Sequence, residues 1–160
     1  MRKFEKISFE QFKKDIEDNK ELYDNLRLPS RETKYAAGYD FHAPYDYILK
    51  PGDILKIPTG IKCIMEDDDV LLLLDRGSMG FKYNVRFCNQ VGVIDKDYYS
   101  NPDNEGHIWI RIQNEGNKDY VVNKGDRMCQ GIFMKYLLVD NDNDEYTERR
   151  SNYCWINIIN

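Results

Sequence analysis

Apolar and polar positions alternate in short runs over most of the chain, and turn-forming residues separate the runs. Ile108, Ile110 and Ile112 alternate with Trp109, Arg111 and Gln113, a period of two that is typical of a half-buried strand. Further apolar runs next to Gly, Pro or acidic turns occur at 47–49, 54–57, 61–65 and 70–74. Short strands with turns every ~8–12 residues predict an all-β fold: a sandwich, a barrel or a jelly roll.

The N-terminal segment has a helical pattern instead. Its apolar residues recur at three-, four- and seven-residue steps, at Phe9, Phe12, Ile16, Tyr23 and Leu26. Ser8 and Gln11 have the spacing of a capping box, in which each side chain satisfies an amide of the first helical turn. The pattern predicts one amphipathic helix that ends before Pro29.

These changes of pattern divide the chain into three parts. Residues 1–28 are predicted to form the helix, packed against the same domain as the rest. Residues 29–140 form the β domain, and 141–160 form an acidic turn and a C-terminal arm. A chain of 160 residues is long enough for one domain with its own core.

Charge and apolar run length exclude several classes of protein. The chain carries 23 Lys and Arg against 28 Asp and Glu, a formal net charge of −5, with no basic stretch of the kind that binds nucleic acid. The longest apolar run, 70–74, is five residues long, whereas a membrane span needs ~20. No early apolar run has the length of a signal peptide. We therefore expect a cytoplasmic protein with no nucleic-acid or membrane partner.

Neither the acidic runs nor the cysteines predict a metal site. The runs at 66–69 and 140–145 do not have EF-hand spacing, so we interpret them as solvated turns. The four cysteines, at 63, 88, 129 and 154, include no Cys-x-x-Cys pair, and the chain has only two histidines. Reduced and mostly buried thiols are the expectation.

Four segments contain residues that a plain sandwich would not require; they lie at 36–40, 75–82, 89–99 and 124–131. Arg76 with its following Gly and Ser emerges from an apolar strand, where a guanidinium and exposed amides suit an anion. Asp95 follows another apolar strand, where a carboxylate can hold and deprotonate a water molecule. Asp126 beside Arg127 predicts an ion pair, and Gln130 can donate to a phosphate.

In this order and at these spacings, the four segments resemble the first four sequence motifs of the trimeric all-β dUTP pyrophosphatases (dUTPases). The resemblance covers residues 29–139 and centres on 92–98, Gly-Val-Ile-Asp-Lys-Asp-Tyr. The insertion at 99–107 resembles the Gram-positive bacterial and phage branch. The resemblance implies a jelly roll or distorted barrel with an N-terminal helix, assembled as a homotrimer that hydrolyses dUTP to dUMP and pyrophosphate.

The resemblance also implies roles for individual residues. Asp95 matches the catalytic aspartate that deprotonates the attacking water, and Tyr98 the tyrosine that packs against the deoxyribose. The residues that match the uracil-reading hairpin are Asn89, Gly92 and Val93. Those that match the phosphate-binding positions are Arg76, Gly77, Ser78 and Gln130.

The remaining implied roles concern the metal and its surroundings. Asp40 is linked to the site through an arginine and metal-bound water, and Asp126 and Arg127 support the fourth segment. Mg²⁺ is held by the triphosphate and not directly by the protein. Each site takes its motifs from different subunits, and the apolar face of the strand at 108–112 is predicted to supply part of the trimer interface.

The chain departs from the family pattern in three places, and the first departure leaves an alternative open. The Gly-rich fifth motif is replaced by a tail in which Arg149 and Tyr153 align with its Arg and Phe but every glycine is missing. Gly77 stands where the family usually has serine, and Ser100 where it often has glycine. The alternative is a non-catalytic dUTPase-like protein that binds nucleotide or a regulatory partner, although the sequence identifies no such partner. A dCTP deaminase is disfavoured because no matching glutamate is present, and a purely structural β-sandwich would not need this set of residues.

Overall fold

The computed structural model describes residues 1–143 and 145–146. The strands of this part are β1 (Lys3–Lys6), β2 (Tyr39–His42), β3 (Tyr47–Leu49), β4 (Ile54–Pro58), β5 (Ile61–Ile64), β6 (Asp69–Leu74), β7 (Val85–Phe87), β8 (Gly92–Asp95), β9 (Trp109–Asn114), β10 (Tyr120–Val122) and β11 (Arg127–Lys135). The helices are α1 (Phe9–Asp15), α2 (Lys20–Asp24) and α3 (Gly77–Tyr83).

The strands form antiparallel sheets around one apolar core. A four-stranded sheet has the order β2-β11-β6-β8, a three-stranded sheet the order β4-β9-β7, and two pairs join β1 to β5 and β3 to β10. Phe41, Leu71 and Leu73 of the first sheet and Ile110 and Ile112 of the second belong to the same buried cluster. The alternation of inward apolar and outward polar residues produces this arrangement, because side chains on successive residues point to opposite faces of a sheet. The predicted all-β class is confirmed, and the sheets are consistent with a jelly roll.

The prediction of one continuous N-terminal helix is wrong. The chain begins with β1, which pairs with β5, and then forms the two short helices α1 and α2. The break follows from Asn19, whose Oδ1 accepts a hydrogen bond from the N–H of Leu22 at 2.9 Å and caps α2. An asparagine that satisfies a helical amide locally starts a new helix more readily than it continues an old one.

The predicted capping box is half correct. Ser8 Oγ accepts from the N–H of Gln11 at 3.1 Å, as the spacing indicates. The Gln11 side chain does not return to Ser8, because it donates to Asp15 Oδ2 at 2.8 Å. The N–H of Ser8 donates instead to Glu105 Oε2 at 3.0 Å, so the insertion at 99–107 holds the start of α1.

The prediction that 108–112 supplies a free apolar face is also wrong. Ile108, Ile110 and Ile112 are buried within the single chain, where β9 lies between β4 and β7. Apolar side chains that remain exposed lie elsewhere, among them Ile48 and Val121. A period of two shows that one face is buried, but not by which chain.

The acidic run at 66–69 is more than a solvated turn. The Asp69 side chain is 1% exposed and lies 2.6 Å from Arg2 Nε and 2.9 Å from Lys135 Nζ. The hydrogen bond from Arg2 holds the pKa of Asp69 below its ordinary value, against the effect of burial. Arg2 and Lys135 lie far away in the sequence, so the pattern of the run itself gave no sign of this pairing.

Two further expectations concern thiols and membranes. Cys63 and Cys129 are buried, Cys88 is half-buried, and all three are free thiols, while Cys154 lies outside the described residues. Burial raises the pKa of Cys63 to about 12, which keeps this thiol protonated. Within the described residues, no helix is long and apolar enough to cross a bilayer.

Candidate functional site

Three of the four predicted segments meet at one end of the four-stranded sheet. On β11, Gln130 lies opposite Asp40 of β2 on one side and opposite Leu74 of β6 on the other. Asp75 and Arg76 follow Leu74 directly, so they emerge at the same end. The sheet register therefore brings Asp40, Arg76 and Gln130 together, although they are up to 90 residues apart in sequence.

Asp40 fixes the direction of Arg76. The side-chain Nε of Arg76 donates to Asp40 Oδ1 at 3.0 Å, and Asp40 is only 8% exposed. Because the bond uses Nε, the two Nη groups of the guanidinium are held at a defined angle. Within the described part of the chain these Nη groups make no hydrogen bond, so they can form the fork that binds phosphate oxygens.

The predicted ion pair between Asp126 and Arg127 does not form. Asp126 Oδ2 accepts from the N–H of Asn123 at 2.9 Å and closes the turn before β11. Arg127 lies 2.9 Å from Glu32 Oε2 and 3.8 Å from Asp40 Oδ2. Neighbours in sequence point in different directions where a strand begins, so adjacency did not imply contact.

Gln130 is held in place from two sides. Its Nε2 donates to the carbonyl of Asp75 at 2.8 Å. A Cβ atom at Gly38 would lie 2.2 Å from its Oε1, so only glycine leaves room for the amide in this position. The Asp75 carboxylate faces inward and accepts from the N–H of Phe87 at 3.1 Å, while burial raises its pKa.

The start of α3 is open to solvent. Gly77 and Ser78 are exposed, and a Cβ atom at Gly77 would have no neighbour within 4 Å. Met79, one residue further, is fully buried and anchors the helix to the core. Gly77 and Ser78 therefore lie on the surface next to Arg76, where a ligand can approach their amides.

The predicted base-reading hairpin connects the two larger sheets. It leaves β7 of the three-stranded sheet, turns at Asn89 and Gln90, and enters β8 of the four-stranded sheet. Gln90 takes a positive φ of 68°, and Asn89 is exposed at the turn. Gly92 is buried opposite Leu73, while the Val93 side chain is exposed.

Asp95 lies away from the other charged site residues of the same chain. It ends β8 opposite Val70, four residues along β6 from Leu74, which is about 14 Å at ~3.4 Å per residue. Tyr98 follows in a single 3₁₀ turn, Lys96–Tyr98, and is 3% exposed. One chain thus brings together Asp40, Arg76 and Gln130 but holds Asp95 at a distance from them.

Some residues that matter to the site were predicted but not described, and others contact the site without having been predicted. Arg149 and Tyr153 lie outside the described residues. Four residues that were not predicted from sequence contact predicted ones: Glu32 contacts Arg127, Asp75 contacts Gln130, and Asn104 and His107 contact Tyr98. Asp75 follows a buried strand directly and could have been recognised by that position, whereas Glu32 carried no signal. Within the described residues, no group of three or more His, Cys, Asp or Glu side chains could hold a metal ion.

The comparisons with known proteins agree on one family. The family model described as dUTPase matches residues 24–153. The deoxyuridine 5'-triphosphate nucleotidohydrolase of Lactococcus lactis subsp. lactis (strain IL1403) is 43% identical over 126 residues, which cover 79% of this chain and 84% of the relative. The protein of the same name from Desulfitobacterium hafniense (strain DSM 10664 / DCB-2) is 37% identical over 115 residues, which cover 70% of this chain and 72% of the relative.

Solved structures give the same result. The dUTPase from Streptococcus mutans is 40% identical with a TM-score of 0.69, and the match covers 86% of this chain and 98% of that one. A mutant dUTPase from phage phi11 of S. aureus, described with a structural Mg(II) ion, matches at 19% identity and a TM-score of 0.66, over 93% of this chain and 99% of that one. The phage match shows the fold alone. With most of its length matched by the family model and by relatives above 30% identity, this chain belongs to the dUTPase family.

Proposed function

We propose that this protein hydrolyses dUTP to dUMP and pyrophosphate. The observation that carries the proposal is the convergence of Asp40, Arg76 and Gln130 at one end of a sheet, in a chain of the dUTPase family. The convergence supplies a fixed cation and an amide beside exposed backbone N–H groups. Such preorganised donors are what stabilises charge on a reacting phosphate chain.

Each part of the nucleotide is assigned to a different group of residues. Arg76, Gly77, Ser78 and Gln130 bind the phosphates. The hairpin at Asn89, Gly92 and Val93 pairs with uracil, and Tyr98 packs against the deoxyribose. The exposed position of Asn89 and Val93 supports this assignment, since both can reach a bound base.

Asp95 acts as the general base. Its carboxylate takes a proton from a water molecule whose oxygen forms a bond to the α-phosphorus. The bond from that phosphorus to the oxygen bridging to the β-phosphorus breaks, and pyrophosphate leaves with the bonding electrons. The reaction consumes one water and yields dUMP.

A homotrimer explains why Asp95 lies about 14 Å along the sheet from the Arg76 end of its own chain. Asp95 of one copy would complete the site that Arg76 and Gln130 form on another. A cyclic assembly repeats the same contact between every pair of neighbours, so it builds three such sites.

Mg²⁺ would enter this site bound to the triphosphate of the substrate. Asp40 already binds Arg76 through Oδ1, and its Oδ2 lies 3.8 Å from Arg127. Oδ2 can therefore accept from a metal-bound water without direct coordination. When bound, the ion would neutralise phosphate charge and so favour attack by water.

The named relatives are nucleotidohydrolases and match most of this chain, so they do not favour the non-catalytic alternative.

Capping of the substrate by Arg149 and Tyr153 remains part of the proposal. The free thiols at Cys63, Cys88 and Cys129 support a reducing, cytoplasmic location.

The test is pyrophosphate release from dUTP by the purified protein, with Mg²⁺ and with EDTA, beside dCTP, dTTP and UTP. We expect hydrolysis confined to dUTP, lost in EDTA and reduced by at least about 10³-fold in Asp95→Asn. The control Asp119→Asn removes an exposed carboxylate outside the site and should leave the rate unchanged. Tight dUTP binding without hydrolysis would instead establish the non-catalytic alternative.

A further inference from the structure

The hydroxyl of Tyr98 is held by two groups of the insertion that follows it. It donates to the carbonyl of His107 at 2.9 Å and accepts from Asn104 Nδ2 at 2.7 Å. Asn104 is itself fixed, because its Oδ1 accepts from the N–H of Gly106 at 3.0 Å. With donor and acceptor both engaged and the residue 3% exposed, the ring has a single position.

His107 extends this network to the N-terminal helix. The imidazole is fully buried, its Nε2 lies 2.8 Å from the N–H of Gly60, and its Nδ1 lies 2.6 Å from Asp15 Oδ2. An amide N–H can only donate, so Nε2 is the acceptor and the neutral ring carries its proton on Nδ1. Nδ1 therefore donates to Asp15, and this bond fixes the orientation of His107.

A second tether joins the same two elements. Glu105 accepts from the N–H of Ser8 at 3.0 Å and from Lys62 Nζ at 3.1 Å. Between Glu105 and His107, Gly106 has a φ of +84°, and a Cβ atom there would lie 2.5 Å from the carbonyl oxygen of Tyr98. The insertion is therefore packed directly against Tyr98. Glu105 binds Ser8 at the start of α1, and His107 binds Asp15 at its end.

We propose that Asn104, His107 and Asp15 are positioning residues that hold the Tyr98 ring rigid and thereby set the preference for deoxyribose over ribose. This inference rests on the proposed function. A hydrophobic pocket rejects an added hydroxyl group by only ~10²-fold. A ring that can move aside for the 2′-hydroxyl rejects it less, so the position of Tyr98 must be fixed for steric rejection to be retained. The network supplies that rigidity from residues that touch no substrate.

The test compares the ratio of kcat/KM for dUTP to kcat/KM for UTP among variants. We expect Asp15→Ala and Asn104→Asp each to lower this ratio at least about fivefold, with kcat for dUTP changed much less. Asp15→Asn should restore the ratio, since the amide oxygen can still accept from Nδ1. The control Asp24→Ala removes another carboxylate of the N-terminal helices, one that among the described residues bonds to Lys20 and has no part in the network.

A double-mutant cycle separates positioning from general loosening. Tyr98→Phe keeps the ring but disconnects it from Asn104 and His107, so Asp15→Ala should have no further effect on the ratio in that background. An equal drop in both backgrounds, or an unchanged ratio in both single variants, would overturn the proposal while hydrolysis of dUTP by the unaltered protein upholds the function. Failure of the unaltered protein to hydrolyse dUTP would overturn both.

Discussion

At the scale of single residues, Gly38 and Gln130 pack so closely that the candidate site has no room for a side chain at position 38. Gly38→Ala would place its Cβ atom 2.2 Å from Gln130 Oε1, the far end of a flexible side chain. We expect the amide to swing away from the Asp75 carbonyl, which lowers kcat/KM for dUTP about tenfold with little loss of stability. Steady-state kinetics and a thermal melt of the same preparation measure the two effects.

Gly80→Ala is the matched control for that substitution. It adds the same methyl group to a helical position of α3 where nothing lies within 4 Å. We expect unchanged kinetics and a gain of about 0.5–1 kcal/mol in the free energy of unfolding, because alanine favours helix over glycine. Equal activity losses in the two variants would contradict a specific role for the space beside Gly38.

The residue types of the site could be predicted, but their contacts could not. Arg76 and Gln130 stood out because such side chains beside apolar strands suit an anion. That Asp40 would direct Arg76, and that Arg127 would turn to Glu32 and not to Asp126, depended on the register of β2 against β11. Register is set by packing across the whole sheet, which a local pattern does not contain.

At the scale of elements, His107 joins α1 to the turn between β4 and β5 by two hydrogen bonds, and their contribution to stability falls in acid. Burial lowers the pKa of His107, with Asp15 opposing it. Burial also acts to raise the pKa of Asp15, but hydrogen bonds from His107 and Gln11 outweigh it and leave that pKa low. The groups facing the imidazole are Asp15 of α1, Glu105 of the insertion and the N–H of Gly60.

The folded chain therefore binds a proton at His107 less readily than the unfolded chain does. The resulting stability is fully present above the unfolded pKa of about 6.5 and declines as the pH falls below it. Stability that depends on the low pKa of Asp15 is lost only in stronger acid, below about pH 4. We expect the free energy of unfolding in urea to fall between pH 7 and pH 5.

His107→Gln should flatten this slope, since glutamine does not titrate. His42, whose pKa is lowered by burial and by the charge of Arg27, adds a second contribution, so His42→Gln is measured beside it. If the free energy of unfolding changes with pH in His107→Gln as it does in the unaltered chain, the His107 imidazole does not titrate in this range.

The elements themselves were predictable where the pattern was strong. The predicted runs at 54–57, 70–74 and 108–112 lie close to the observed bounds of β4, β6 and β9, and every second residue of β6 and β9 is buried. The strand β1 was missed because four residues with one apolar side chain do not show a period. The hairpin from β7 to β8 was predicted as a functional segment from its residue types. That it crosses from one sheet to the other was not predicted, because the strands that pair with β7 and β8 lie far away in sequence.

At the scale of the whole molecule, two groups of candidate site residues lie at positions that do not meet within one chain. Asp40, Arg76 and Gln130 lie at one end of β6, and Asp95 lies opposite Val70 toward the other. The charge balance and the buried isoleucines of β9 do not indicate how copies assemble. The separation along β6 does so under the proposed function, in which Asp95 is the base, since the base must lie beside the phosphates.

Mixed assemblies test this arrangement directly. Asp95→Asn and Arg76→Gln should each abolish most dUTP hydrolysis when present in every copy. Co-expressed with two different affinity tags and purified through both, the mixed trimers should regain about one third of the sites. That fraction follows because a shared site is intact only when one copy supplies Asp95 and its neighbour in the ring supplies Arg76, and a ring of three that contains both variants has one such pair. A mixture of Asp95→Asn with Asp95→Asn under the second tag is the control and should stay inactive. If each chain built its own site, every site in the mixture would contain one substitution, and no activity would return.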